Sequence, residues 1–488
     1  MRLKAERNMS DSEILKNIIE EDVISPEKKK MEEGERYYAY GHDVLRKDFN
    51  VSKISESSEN GERVRDFANP NRSNHHNVNA FHRLLVDQKV SYILGKRPTI
   101  SLDTAEDRGD LKKFEKFLSD FNSNELSDTL QNLVIGASNK GLEILHVYYD
   151  EDGNFRYTVI PANEVVLVYD SQYEKELTQV IRYYTVTVIE NGRKKYRKRA
   201  EWWEKDKVTY YMENDRNEFV FDPSAGYNPS PHFWNMKTFN GKVVKRKGVS
   251  WKRLPFIVLK NNQRCTTDLE GIKGLIDAYD MISSEGVNNL LDLVELYWVI
   301  EGYGGEAASA ISRKLKINKA VHISDSSGKI EAKQVNIPLE GRLQYLEMLK
   351  RDIYTFGQGV DINITKLGNA VSGTSLKYQY TLLDLKARSI GVQIISALRQ
   401  LLCFAVEDFN RRNKTDFRAE DIAILLNNTM IANDSEVAEI IKSSRGLLSD
   451  KTLIENHPFV DNVSSELARI GAKDPGKDDL EGEILLNK

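Results

Sequence analysis

The sequence predicts an α+β protein, and three patterns carry that expectation. Apolar residues recur at three- and four-residue steps near the amino terminus and again after residue 266, the spacing of a buried helix face. Between Leu142 and residue 260 the pattern changes to short apolar runs and alternation broken by turn dipeptides, as in antiparallel strands. From Ser375 to Arg411 the helical period persists long enough for a rod of ~55 Å, with Gly391 as a place where it can bend.

From the amino terminus, Ser10 and Glu13 form a capping box, each side chain satisfying the other's free amide, ahead of an apolar stripe of Leu15, Ile18, Ile19 and Val23. Ser25-Pro26 opens a second helix, with proline where its missing amide is not needed, and Tyr37, Tyr38 and Tyr40 pack near its end. After a polar loop, Val78, Phe81, Leu85 and Ile93 share a face that Gly95-Lys96-Arg97-Pro98 terminates, glycine as cap and proline as stop. The runs Ile144 to Tyr149 and Phe155 to Ile160 make a hairpin about Asp152-Gly153, and Val165 to Tyr169 adds a strand. Val180 to Ile189 leads into a tight turn at Asn191-Gly192, with further strand-like runs from Glu201 to Met212 and from Glu218 to Asp222.

Helix returns with a second capping box, Thr267 and Glu270, and the stripe Leu269, Ile272, Ile276, Tyr279, Ile282, Leu290 and Val294. Tyr303-Gly304-Gly305 interrupts it, and short strands at Ala320 to Ile323 and Ile330 to Ile337 flank a turn at Ser326-Ser327-Gly328. Pro338 opens a helix carrying Leu339, Leu343, Leu346, Ile353 and Phe356. A polar, glycine-punctuated stretch from Gly357 to Gly373 precedes the long helix, which Ser372 or Thr374 can cap. Shorter helices at Ser435 to Ser443, Asp450 to Glu455 and Ser464 to Ile470 come before a polar tail.

With 488 residues and 40% apolar content the chain can fill roughly two to four domains. Its 70 lysines and arginines against 74 acidic residues leave a formal net charge of −4, so any DNA contact has to be local or transient. Cys265 and Cys403 form no CxxC pair, which argues against a disulfide framework or zinc ribbon and fits a reducing cytoplasm. The amino terminus is a charged run, and no stretch is expected to approach the ~20 apolar residues that span a bilayer, since even Leu290 to Ile300 is broken by Asp292 and Glu295.

No GxxxxGK[ST], HExxH, GxSxG or GxGxxG motif occurs. His75, His76 and His82 are close in sequence but lack an acidic or cysteine partner at a ligand spacing, so an ordinary polar role is expected and no metal. Asp277, Asp280, Glu285 and Asp292 alternate with an apolar stripe and read as a solvated or lumen-facing helix surface rather than a catalytic set. The strongest basic run is Arg193, Lys194, Lys195, Tyr196, Arg197, Lys198 and Arg199, followed by Trp202 and Trp203. It can neutralise phosphates or acidic partners, or simply guard a hairpin edge with like charges; the second reading is preferred, and the tryptophans are expected in a core and an inter-subunit contact.

The order of these segments resembles the portal proteins of tailed bacteriophages, of the type found in siphophages of Gram-positive bacteria. The wording agrees at Tyr92 to Pro98, at Gly136 to Asp170 with Ile160-Pro161-Ala162-Asn163-Glu164, at Asp268 to Asp280, at Val371 to Leu376 and at Gly446 to Leu453. The resemblance implies a portal fold: an N-terminal arm and β-rich wing (1–265), stem helices (266–291 and 338–358) and a small mixed α/β clip (292–337). A tunnel loop (359–374), a long scaffold helix of the wing (375–414), a helical crown (415–470) and a flexible tail (471–488) complete it.

It further implies a non-enzymatic ring of about twelve subunits at the unique capsid vertex, without cofactor. Double-stranded DNA would pass through it without sequence specificity during packaging and ejection. Implied partners are the terminase large subunit, docked through the clip, scaffold and major capsid proteins, and a head-completion or adaptor protein, with no membrane. The chain would be made in the host cytoplasm and end in the virion. Asn363, Thr365, Lys366, Asn369, Ser372 and Thr374 would be the tunnel-loop groups, with Lys366 meeting either phosphate or Asp361. Two other readings stay open: a tail or minor capsid component, and a metal-dependent nucleic-acid enzyme.

Overall fold

The computed structural model describes residues 10–58, 61–68, 72–102, 109–170, 176–190, 192–239, 242–292, 297–301, 329–333, 339–361, 373–427 and 434–455, with 457, 460, 466, 469 and 470. The chain divides into two compact units, Met1–Asp361 with Leu382–Asn428, and Ile362–Thr381 with Thr429–Lys488.

In the larger unit, α1 (Asp11–Val23) starts at the reciprocal Ser10–Glu13 capping box and buries Leu15 and Ile19. Val23, expected on the same stripe, is 46% exposed and is not part of the core that Leu15 and Ile19 join. Ser25 caps α2 (Pro26–Tyr38), where Tyr37 is buried, while Tyr40 stands exposed just past its end at φ 64°. The expected polar loop contains a ribbon of β1 (Val51–Ser58) and β2 (Gly61–Ala68), strands that offer no continuous apolar face for the sequence to reveal. Helix α3 (Phe81–Leu94) stops ahead of Pro98 as expected, but Gly95 sits at φ −67° and is not a left-handed cap. After β3 (Thr99–Leu102) come two helices that the sequence reading did not assign, α4 (Leu111–Phe121) and α5 (Asn124–Lys140). The left-handed cap lies here instead, at Gly141 (φ 84°), where a Cβ would meet the Cys265 carbonyl at 2.1 Å.

The strands β4 (Leu142–Tyr149) and β5 (Phe155–Ile160) form the expected hairpin, turned by Gly153 at φ 78°. Then follow β6 (Val165–Tyr169), β7 (Leu177–Glu190), β8 (Arg193–Trp203), β9 (Lys207–Glu213), β10 (Phe219–Phe221), β11 (Ser230–Pro231), β12 (Phe233–Phe239), β13 (Lys242–Val249) and β14 (Phe256–Lys260). The strand-like stretch from Glu201 to Met212 spans the end of β8 and most of β9, with a turn at 204–206 between them. One sheet has the order β10-β9-β8-β7-β6 with β11 on β9, another β14-β4-β5, and β12 pairs with β13. Ile144, Val165, Val180, Trp203, Val208 and Phe256 form one core; Leu15 and Ile19 close a second over Ile181, Ala200, Tyr211 and Phe219.

The Thr267–Glu270 box forms, but it closes a turn, and α6 (Lys273–Asp292) begins later than the expected stem boundary at 266. The strands β15 (Tyr297–Glu301) and β16 (Lys329–Lys333) pair within the expected clip, whereas Ala320 to Ile323 and the turn at Ser326-Ser327-Gly328 lie outside the described residues. Helix α7 (Leu339–Phe356) joins α2, α3 and α6 in a core of Tyr37, Leu85, Leu269, Ile272, Ile276 and Ile353. Helix α8 (Gly373–Asn413) is 41 residues long and continuous through Gly391. Contrary to the sequence reading, Tyr380–Asn413 is long and apolar enough to cross a bilayer; 56% of its most apolar window is nevertheless buried inside the protein, as in a core helix. Beyond α8, β17 (Ile422–Leu425) returns to pair with β3, and Phe417 stacks on Phe114 at 4.0 Å.

In the smaller unit, α9 (Asp434–Ser443) and α10 (Asp450–Glu455) fall where expected. Most of the third expected helix and all of 471–488 lie outside the described residues.

Candidate functional site

The polar face of α6 is not the solvated surface its carboxylates suggested; it holds a strap. Residues 73–79 run antiparallel to the helix, and every second amide donates to one α6 side chain. Ser73 bonds Asp292 (2.9 Å), His75 bonds Asn288 (2.7 Å), Asn77 bonds Ser284 Oγ (2.9 Å) and Asn79 bonds Asp280 (2.9 Å). The match is geometric, since two residues of extended chain advance ~6.7 Å and four of helix ~6 Å. Asp280, Ser284 and Asn288 are buried, so losing a rung would leave a polar group without water. Asp280 also meets His42 Nδ1 at 2.6 Å, and the His42 ring stacks on Tyr37. Tyr37 donates to Asp277, Lys273 bridges Asp277 and Asp43 at 2.7 Å each, and Glu285 stands 3.7 Å from Lys47. A catalytic reading needs carboxylates free to turn toward a substrate, and these are engaged.

The turn after α7 is fixed before the polar stretch begins. Val360 is buried, and its N–H and C=O both bond the Gln88 side-chain amide, at 3.1 and 2.8 Å. The Gly357 carbonyl accepts from Lys386 at 3.0 Å, and a Cβ at Gly359 would meet Leu85 at 2.1 Å. Asp361 pairs with Lys350 at 3.2 Å, so it already has a partner other than Lys366. Asn363, Thr365, Lys366, Asn369 and Ser372 lie outside the described residues. Thr374 belongs to the first turn of α8 and is not a loop residue, because first-turn amides need no intrahelical acceptor and the helix extends past the expected start.

Beside this turn lies a buried charge cluster that sequence reasoning missed. Lys89 reaches Asp268 at 2.6 Å and Asn261 at 2.8 Å, while Lys386 stands 3.1 Å from the same carboxylate. Burial pushes Lys89 down to about 8. Burial acts upward on Asp268, but Lys386 and Lys89 outweigh it and hold the carboxyl well below its usual range. The signal available was a lysine in the middle of the apolar face of α3, between Val86, Val90 and Ile93. The clustered histidines do not converge. His82 Nε2 lies 3.0 Å from Asn139, His76 Nε2 lies 2.7 Å from the Lys47 carbonyl, and the His75 amide sits on the strap ladder. Among the described residues no group of His, Cys, Asp and Glu is arranged to hold a metal ion.

The basic run is itself a strand. Only residues up to Arg182 of β7 pair with β6, and only residues from Arg199 of β8 pair with β9, so the far end of the β7–β8 hairpin extends past the sheet as a ribbon. On one ribbon face Lys195 and Arg197 meet Asp215 at 3.4 and 2.9 Å, and Arg199 meets Asp222 at 2.6 Å. On the other, Lys194, Tyr196 and Lys198 are exposed with Thr185, Thr187 and Ile189 opposite them; Arg193, at the tip, is opposite Glu190. Trp203 is a core residue, and Trp202 packs half-buried beside Ile181 and Tyr211.

This chain matches a family described as phage portal protein, SPP1 Gp6-like, over residues 20–477. It is similar to the portal protein of Bacillus phage SPP1, 28% identical over 479 residues that cover 97% of this chain and 89% of the relative. It is also similar to the portal protein of Clostridium phage phiCD119, 30% identical over 448 residues, 88% of each chain. The match runs through the strand-rich block, the paired helices and the long helix, and the chain belongs to the SPP1 Gp6-like family of phage portal proteins, structural components of the virion.

Proposed function

We propose that this chain is one subunit of a ring of about twelve at the unique vertex of a phage capsid, through which double-stranded DNA is packaged and later released. The observation that carries this reading is the family match over residues 20–477. In this reading residues 1–265 make the arm and wing, α6 and α7 the stem, 292–337 the clip, α8 the wing's scaffold and 415–470 the crown. The terminase large subunit docks on the clip and hydrolyses the ATP, so the chain is a conduit rather than an enzyme. Scaffold and major capsid proteins meet the ring during assembly, and a head-completion or adaptor protein joins after packaging. Synthesis is in the host cytoplasm.

The loop that begins at the Gln88-held Val360 faces the bore, where Asn363, Thr365, Lys366, Asn369 and Ser372, with Thr374 in the first turn of α8, make weak, sequence-independent contacts with phosphates. A net charge of −4 suits that task, because tight phosphate binding would release counterions and hold the DNA still. The engagement of Asp277, Asp280 and Asp292 by the strap and its neighbours speaks against a metal-dependent nuclease. Electron microscopy of labelled particles tests the reading. A ring with a DNA-width hole at one vertex is expected; label on the tail, or on every vertex, would favour a tail or minor capsid component instead.

A further inference from the structure

The two edges of the β7–β8 ribbon differ in kind. The β8 edge carries the basic run, and Arg197 reaches over to the Glu213 carbonyl at 3.0 Å, so it is guarded by charge and by the adjoining turn. The β7 edge at residues 184–189 reads Tyr-Thr-Val-Thr-Val-Ile, without charge or proline, and its register with β8 is unbroken. No described residue pairs with its outer side, since β6 ends its pairing at Arg182. Such a segment has high strand propensity and a row of open backbone groups, the combination that ordinarily recruits another strand. We propose that this edge accepts an extended, acidic protein segment as an added strand, with Lys194 and Lys198 selecting its charge.

The selection follows from which cations remain available. On one face Lys195 and Arg197 share Asp215 and Arg199 pairs with Asp222, whereas Lys194 and Lys198 stand exposed on the other, flanking Tyr196. They lie four residues apart, ~13 Å along the strand. Opposite them in β7 are Ile189 and Thr185, with Thr187 between; the short threonines leave room for Tyr196 and Lys198 to reach across to a strand on the outer edge. Duplex DNA fits poorly. Two cations on that face neutralise too few phosphates for stable binding at physiological salt, and DNA makes no use of a strand edge or of Ile189, 76% exposed. A second copy pairing β7 with β7 also fits poorly, because that contact is two-fold and does not propagate around a ring. This inference rests on reading the basic run as a contact surface and uses the proposed ring only to exclude a second copy.

The test uses the full chain and a fluorescent eight-residue peptide that alternates valine and threonine with glutamates four residues apart. Saturable binding is expected. It should weaken about tenfold or more when alternate peptide amides are N-methylated, which removes strand pairing but keeps charge. It should weaken similarly in Lys194→Glu/Lys198→Glu, and a lysine-for-glutamate peptide should restore binding to that variant. Failure of the peptide to bind, indifference to N-methylation, or a 20-base-pair duplex bound in preference to the peptide would each overturn the proposal. None of these outcomes bears on whether the chain forms a ring at the vertex.

Discussion

Asp268 faces two lysines, so removing different members of the cluster has unequal effects. Asp268→Ala leaves Lys89 and Lys386 as buried like charges, whereas Lys89→Met leaves one anion with one cation. We expect the first to cost about 3–5 kcal/mol in urea unfolding and the second about 1 kcal/mol; equal losses would show that Lys386 does not share the carboxylate. Lys89 also shapes pH dependence, because the unfolded chain keeps that proton to 10.5 and the folded one only to about 8, so stability rises with pH across that window. His82 and His146 act at the acid end. Burial lowers them to about 4 and about 3, so below their ordinary 6.5 the unfolded chain takes up protons that the folded chain refuses, and stability falls as the pH drops. His146→Asn should make that fall shallower in urea midpoints measured between about pH 7 and about pH 4. An unchanged slope would mean that His146 is protonated inside the fold.

The strap on α6 makes a prediction that secondary structure alone would not. Residues 73–79 belong to no helix or strand, yet the amides of Ser73, His75, Asn77 and Asn79 should exchange with solvent about tenfold more slowly than those of Asn74, His76 and Val78. Uniform exchange along the segment would remove the ladder. This element also shows where sequence reasoning stops. The Ser10 and Thr267 capping boxes and the Gly153 hairpin were legible because their partners lie within a few residues. The helical period located a polar face on α6 but could not say what covers it, since the donors lie more than 200 residues away. Helices α4 and α5 went unassigned although Phe114 and Leu118, and Leu126, Leu130, Leu133 and Ala137, have helical spacing, whereas β1 and β2 carry little apolar pattern. The hydropathy of α8 was undervalued, and its Phe404 and Phe409 meet Trp251 and Phe114, distant in sequence. Of the candidate site, the basic run was found, but its division into an ion-paired and an exposed face depends on Asp215 and Asp222, in the segments either side of β10, which the sequence reading did not connect to it.

Assembly and passage of DNA belong to many copies acting together, and if the segment beyond Val360 lines the channel as proposed, one residue's effect there is multiplied by the number of subunits. A ring built from Lys366→Glu should assemble normally but package DNA more slowly, most clearly at low salt, where phosphate repulsion is least screened. Packaging at the normal rate would remove Lys366 from the channel. The pairing of Ile422–Leu425 with Thr99–Leu102 has a consequence in time. With translation adding ~5–20 residues per second, β3 and the Phe114 ring wait roughly 15–60 s after synthesis for the strand and the aromatic ring that cover them. Polypeptides that stop short of Phe417 lack that seal and should leave β3 and the Phe114 ring uncovered.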